Sequence, residues 1–433
     1  HPVRPIAPEA PADAPSAVAP NAAAAAGPLT GMRVLEMGST VAGPFCGRLL
    51  ADFGAEVVKI EDPAGDAVRS MGKRVHGQSL YAASIFRNKA VLALDLRQAR
   101  AREIAGELAA KADVLIENFR PGALESWGLG YEALSARNPG LVMVRISGFG
   151  QDGPYSQRAG YGVIGEALSG LRHLTGDPDR PPARVAVSMT DYITGLYAAF
   201  GTTLALLARG RNGRGQVVDA ALYESAFSFM EPWIPAYDKT GFVANRCGSR
   251  LPESTPNNLY PTGDGQFIHV TAMGDAVFRR LAEAMGQPGL AQDERFATNT
   301  ARSANAEEID DLVAGWTSTR ALEEVETTLL AAAVPAMRIY TIADIFTDPH
   351  YRARGSIVRA PDPQLGTVAM AQAVPRLSAT PGAVRHAGHR TGEDSRSVLR
   401  SWLGLDDAAI DALRSSNTIM EAPRQAPPAD LAP

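Results

Sequence analysis

The chain has little cysteine: two residues in 433, Cys46 and Cys247. They give no disulfide framework and no metal-ligand spacing, and a reducing cytoplasm is the simpler compartment for them. The seven histidines form no H-E-x-x-H or other paired arrangement, so no protein-bound metal is expected. No run approaches 18 apolar residues without a polar break, which argues against a membrane span. The net charge of −5, with 21% charged residues, leaves no basic signature for nucleic acid. There is no internal repeat, and no G-x-G-x-x-G follows the first strand, so a nicotinamide cofactor is not expected.

What remains is a large apolar fraction, 45%, in a chain long enough for two or three domains. Residues 1–28 are Ala, Pro and a few charges without period, and read as a disordered arm. An Ala/Pro arm is also a poor secretory signal, because it lacks an apolar segment. The tail at 421–433 has the same composition and the same reading.

Between them, strands and helices alternate. Met32 to Met37 reads as a buried strand, Phe45 to Phe53 as a helix and Glu56 to Glu61 as a second strand, a βαβ unit. Further strands are predicted at Ala90 to Leu96, Asp113 to Glu117, Leu141 to Ser147 and Val217 to Ala220, with helices between. That alternation predicts a Rossmann-like, doubly wound α/β fold, whose ligands sit beyond the carboxyl ends of the strands. Asn118 and Arg120 fall at such an end. Pro232 to Phe242 reads as a connection into a smaller α+β unit that begins with a loop, Gly248 to Pro261. Beyond Pro349 the chain is β-rich and then helical.

The chain is organised around Arg184 to Ala208. Val185-Ala186-Val187 predicts a strand end, and after a turn the spacing of Leu196, Tyr197, Phe200, Leu204 and Leu207 predicts a buried helix. Asp191 falls in or just before its first turn. There, helix-start N–H groups and the helix dipole favour an ionised carboxylate. On spacing alone a capping aspartate is the commoner reading and a nucleophilic carboxylate the sharper one.

Several stretches carry a resemblance. They include PLTGMRVLEMGSTVAGPFCGRLLADFGAEVVKIE at Pro28 to Glu61, FRNKAVLALDL at Phe86 to Leu96, DVLIENFRPGALESWGLGYEAL at Asp113 to Leu134 and ISGFGQDGPYSQRAGY at Ile146 to Tyr161. TDYITGLYAAFGTTLALLAR, GRGQVVDAALYESA, NNLYPTGDGQFIHV and GEDSRSVLRSWLGLDDAAIDAL follow in order. Together they resemble the family III CoA-transferases (the CaiB/BaiF group, with formyl-CoA transferases and α-methylacyl-CoA racemases), and within it the subgroup acting on short dicarboxylates.

The resemblance implies an interlocked homodimer. Its large CoA-binding domain would span 29–231, followed by a linker and small domain at 232–340 and a return segment at 341–420. No permanently bound cofactor is implied; the CoA thioester is a substrate, with a carboxylic acid as the second. Asp191 is implied as the catalytic nucleophile. Contacts to CoA are implied at Thr40, Val41, Ala42, Arg69, Asn118, Phe119 and Arg120, with Arg87 and Lys89 on the same face. Read from position alone, Arg87 and Lys89 are more often solvated charge. Gly248, Ser249 and Arg250 occupy the place of the family's glycine-rich active-site loop. Arg250, Arg246 and Arg158 are candidates to hold a dicarboxylate's distal group. A racemase would need a His in a G-H-D stretch. Here the matching stretch is Gly160-Tyr161-Gly162, and His173 reads as a surface or structural residue. A racemase and an inactive CoA-binding scaffold are the alternatives to a transferase.

Overall fold

The computed structural model describes residues 27–423. Of the expected arm and tail, positions 1–26 and 424–433 lie outside the described residues. In chain order the strands are β1 (Arg33–Glu36), β2 (Glu56–Glu61), a two-residue ribbon β3 (Arg74–Val75) and β4 (Gln78–Ser79), β5 (Lys89–Leu94), β6 (Val114–Glu117), β7 (Val142–Ser147) and β8 (Val217–Ala221). Then come β9 (Asn257–Pro261), β10 (Phe267–Thr271), β11 (Ala336–Arg338), β12 (Ile357–Asp362), β13 (Gly366–Ala371) and β14 (Ile419–Met420).

Seven of these form one sheet in the order β14-β5-β2-β1-β6-β7-β8. All its pairings are parallel except that of β14, which runs antiparallel to β5 along one edge. The central strands read as near-continuous apolar runs because helices cover both faces. Leu35, Val58, Leu92 and Leu115 face a core that includes Ile104 and Leu108 of the helix Ala99–Ala109 and Trp402 of the helix Ser395–Leu403. Their neighbours Val34, Val57 and Val114 point the other way, with Cys46 and Leu50 of the helix Ala42–Asp52 and Ala198 of the helix Met189–Asn212. The period of two along each strand divides them.

A second, antiparallel sheet, β11-β10-β9, packs with the helices Asp275–Ala284, Ala306–Thr317 and Leu322–Ala331 around Tyr260, Ile268, Phe278 and Trp316. The hairpin β12–β13 packs through Ala360 and Met370 onto Ala83. The last part of the chain then returns to the large sheet. There the Asp394 carboxylate accepts from Val91 N–H at 2.8 Å, and Ser395 Oγ accepts from Ala93 N–H at 3.1 Å.

Four local expectations are corrected. Val185 to Val187 is not a strand: no neighbouring strand pairs with it, and its valines are half exposed. Trp233–Thr240 is a helix where a connection was expected; Pro235 falls in its first turn, where no intrahelical N–H bond is lost. Asn257–Pro261 is a strand at the end of the expected loop, made so by its partner β10. The helix carrying Asp191 is not buried on its large residues. Its small residues are buried (Thr194, Gly195, Ala198, Thr202), while Leu196, Tyr197, Phe200, Leu204 and Leu207 are 40–60% exposed. Backbone proximity explains the choice: a Cβ on Gly195 would lie 2.7 Å from the Ala42 carbonyl oxygen. Only the small-residue side of this helix can approach the helix Ala42–Asp52 so closely.

Candidate active site

The chain lays down β1, then β2 and β5 to one side, and then crosses back to place β6 on the other side of β1. A crevice opens beyond the carboxyl ends of the two strands between which the order reverses. Here those ends lead into Ser39 to Ala42 and Asn118 to Arg120. A cleft of about 250 Å³ lies there, lined among others by Thr40, Val41, Phe119, Arg120, Tyr161 and Asp191. A neighbouring hollow of about 390 Å³ shares Ser39 and Phe119 with it and adds Arg97, Arg102 and Trp127. Among the described residues no three His, Cys, Asp or Glu side chains converge to hold a metal, and no helix is long and apolar enough to cross a membrane.

Asp191 is the third residue of the helix Met189–Asn212 and not its cap; Ser188 holds the cap position without a side-chain bond. The carboxylate is half-buried and lies directly over Gly162, where a Cβ would fall 2.0 Å from Asp191 Oδ2. Burial pushes its pKa up to about 6, against the opposing pull of its own backbone N–H and the Arg184 charge. The expectation that the helix start would dominate is therefore corrected: desolvation wins. Even so, at pH 7 the ionised form leads by roughly ten to one.

The helix Ala42–Asp52 starts at the cleft with no side-chain cap on Val41, so its first N–H groups stay available to an anion. Asn118 braces this turn: Oδ1 accepts from Ser39 N–H and Nδ2 donates to the Ser39 carbonyl, each at 2.8 Å. Arg120 is exposed and Arg158 stacks over Tyr155 at 3.6 Å; both line the cleft, and neither has an acidic partner among the described residues.

Other candidates lie elsewhere. Arg87 and Lys89 are 0% exposed, so they neither face a CoA site nor sit in solvent. Arg87 donates twice to the Asp52 carboxylate, at 3.0 and 2.6 Å, and Lys89 Nζ donates to Glu36 at 2.6 Å. A buried charge needs such a partner, and these two already have theirs. Arg69 is committed to Glu61, at 2.9 Å, and to the His389 carbonyl, tying the returning chain to the sheet.

Within one chain Gly248, Ser249 and Arg250 do not line the cleft. Gly248 N–H donates to the Gly176 carbonyl, and Arg250 Nε donates to Asp310 at 2.6 Å. Asp310 also accepts from Tyr260 and Asn258. Arg246 is half-buried and donates to the backbone carbonyls of His173 and Asp177. His173 contacts Asn245 and lies outside the cleft. Sequence reasoning missed Gly162 as a site residue; it noted the stretch only for lacking a histidine, and nothing local signals that position 162 meets residue 191.

An α/β sheet with a carboxylate-bearing cleft at its switch point is a ligand-binding scaffold. Residues 29–395 match the model for CoA-transferase family III, and the chain belongs to that family. It is 47% identical over 394 residues to the succinyl-CoA–D-citramalate CoA-transferase of Chloroflexus aurantiacus, covering 90% of this chain and 98% of the relative. It is 41% identical to the beta subunit of the succinyl-CoA–L-malate CoA-transferase of the same organism, covering 90% and 98%. Among solved structures, a CaiB/BaiF family protein from Brucella suis superposes with a TM-score of 0.78 at 34% identity, over 87% of this chain and all of that one. The enzyme is thus a family III CoA-transferase.

Proposed function

We propose that this enzyme moves CoA from succinyl-CoA to a short dicarboxylic acid through covalent intermediates on Asp191. The observation that carries the reading is an ionisable carboxylate set in the switch-point cleft, with a glycine beneath it and no histidine beside it. Asp191 attacks the thioester carbonyl, the C–S bond breaks, and an acyl-aspartyl anhydride and CoA thiolate result. The thiolate attacks the aspartyl carbonyl and expels the donor acid, leaving an aspartyl-CoA thioester. The acceptor carboxylate repeats the exchange and the thiolate returns, which regenerates Asp191. No step consumes or releases a proton overall, so no acid–base pair is required.

The uncapped helix start at Val41 and Ala42 suits the phosphates of the substrate, and the pair of hollows meeting at Ser39 and Phe119 suits a long one. Arg120 and Arg158 are the cations for phosphate and for the acceptor's distal carboxylate. Arg250, held by Asp310, fixes its loop instead. The relatives' acceptors, citramalate and malate, are both short dicarboxylates, which favours that class here. A racemase would need an imidazole; Tyr161 stands in its place, and no histidine lines the cleft.

The working form in this reading is an interlocked homodimer. The exposed row Leu196, Phe200, Leu204 and Leu207 is the kind of apolar face that a second chain covers. Incubation with succinyl-CoA should leave an adduct on the peptide holding Asp191, visible by mass spectrometry. Full CoA exchange by Asp191→Ala would refute the nucleophile, and an active monomer in sedimentation at low concentration would refute the dimer.

A further inference from the structure

Behind the cleft lies a chain of four buried charges that the reaction above does not use. Glu36, Lys59 and Lys89 are 0% exposed, and Asp66 is buried beside them. Lys89 Nζ meets Glu36 Oε2 at 2.6 Å and donates to the Pro44 carbonyl, in the first turn of the helix Ala42–Asp52, at 2.6 Å. Lys59 Nζ lies 3.4 Å from the other Glu36 oxygen and 3.0 Å from Asp66, and donates to the Gly38 carbonyl at 2.6 Å. The Asp66 carboxylate in turn accepts from Thr40 N–H at 3.0 and 3.2 Å and from Val68 N–H at 3.0 Å. Capping the short 3-10 turn at Ala67 would need only the last of these bonds.

Apart from Val68 N–H, every backbone group held by this chain belongs to Gly38, Thr40 or Pro44, a stretch whose middle, Ser39 to Ala42, lines the cleft. Thr40 has φ +66, a left-handed conformation that is a genuine outlier for a β-branched residue and persists only where its surroundings hold it. We infer that Asp66, anchored by Lys59, is a positioning residue for CoA: it locks Thr40 in its left-handed conformation and so aims the turn from Ser39 to Ala42 at the substrate. Removing Asp66 frees Thr40 to relax, and the turn loses the shape that binds the thioester. Acceptor binding and the chemistry at Asp191 do not depend on it. This rests on the reading that CoA lies across that turn.

The test is CoA binding by calorimetry together with steady-state kinetics. In Asp66→Ala the Kd for CoA and the KM for succinyl-CoA should rise tenfold or more. The acceptor KM, and kcat at saturating succinyl-CoA, should stay within threefold. Thr40→Gly placed in that background enters the left-handed region without strain, and the double variant should bind CoA at least threefold tighter than Asp66→Ala. A Kd within twofold of wild type in Asp66→Ala, or a double variant no tighter than the single one, overturns the inference. Should Asp66→Ala not fold, Asp66→Asn keeps the size and one acceptor but turns an amide toward Lys59; it should weaken CoA at least threefold, and an unchanged Kd there overturns the inference equally. Arg120→Ala and Phe119→Ala separate the two readings. If both leave the CoA Kd unchanged, the site assignment fails; if they weaken it while Asp66→Ala does not, only the clamp fails.

Discussion

Replacing Asp191 by Asn should inactivate the enzyme and at the same time make it more stable at neutral pH. Burial holds this carboxyl at about 6 in the folded protein against an ordinary 3.8. At about 1.36 kcal/mol per pH unit, ionising it in place costs at most roughly 3 kcal/mol of folding free energy. The group is only half-buried, so solvent screening trims the expectation to ~1–3 kcal/mol. The sign follows from proton binding. Between about pH 4 and pH 6 the native state holds a proton that the unfolded chain has lost, so stability falls as pH rises through that window. Below it both states are protonated and the penalty vanishes; above it the penalty is complete. Asp191→Asn carries no charge and escapes the penalty at every pH. Urea titrations of both proteins at fixed protomer concentration, at pH 7.5 and pH 4, measure it. The variant should lead by ~1–3 kcal/mol at pH 7.5, and most of that lead should be gone at pH 4. A variant no more stable than wild type at pH 7.5, or a lead that does not shrink in acid, would refute the claim that burial governs this carboxylate.

Activity should fall in acid as Asp191 protonates, with kcat/KM for succinyl-CoA dropping tenfold per pH unit well below about 6; a flat profile down to pH 5 would contradict an ionised nucleophile. Gly162→Ala should lower kcat tenfold or more with the fold intact, since its methyl would occupy the position of Asp191 Oδ2, and stopped-flow acylation would register the loss directly. Arg120→Ala and Arg158→Ala should each raise a KM about tenfold, as expected when a charged hydrogen bond worth roughly 1.5–3 kcal/mol is lost. Comparing mono- and dicarboxylate acceptors shows which cation meets the distal group, and two silent variants would remove both from the site. Arg250→Ala and Asp310→Asn should act alike and impair mono- and dicarboxylate acceptors equally, because the pair holds a loop; selective loss of dicarboxylates in Arg250→Ala would return that residue to the substrate.

The sequence by itself determined where the parallel strands of the large sheet lie along the chain. Glu56–Glu61 begins and ends where it was expected to, and the other parallel strands of the sheet differ from their expected limits by a residue or two; only the edge strand β14 was not foreseen. Local pattern suffices there because a strand covered on both faces is built mostly of apolar residues. Asp191 was legible as a helix-start carboxylate for the same local reason, and Ser39 to Ala42 and Asn118 to Arg120 as strand-end turns. Tertiary structure decided what pattern does not encode. Arg87 and Lys89 look like any solvated pair before a strand, and only the arrival of Asp52 and Glu36 from other elements allows them to be buried. The same holds for Arg250, whose partner Asp310 stands 60 positions away. A period of apolar residues marks one face of a helix without saying which face meets the core; Gly195 against Ala42 turned the small face inward and left Leu196, Phe200 and Leu204 outside. Gly162 became part of the site only because folding set it under Asp191, where room for the carboxylate required a residue without a side chain.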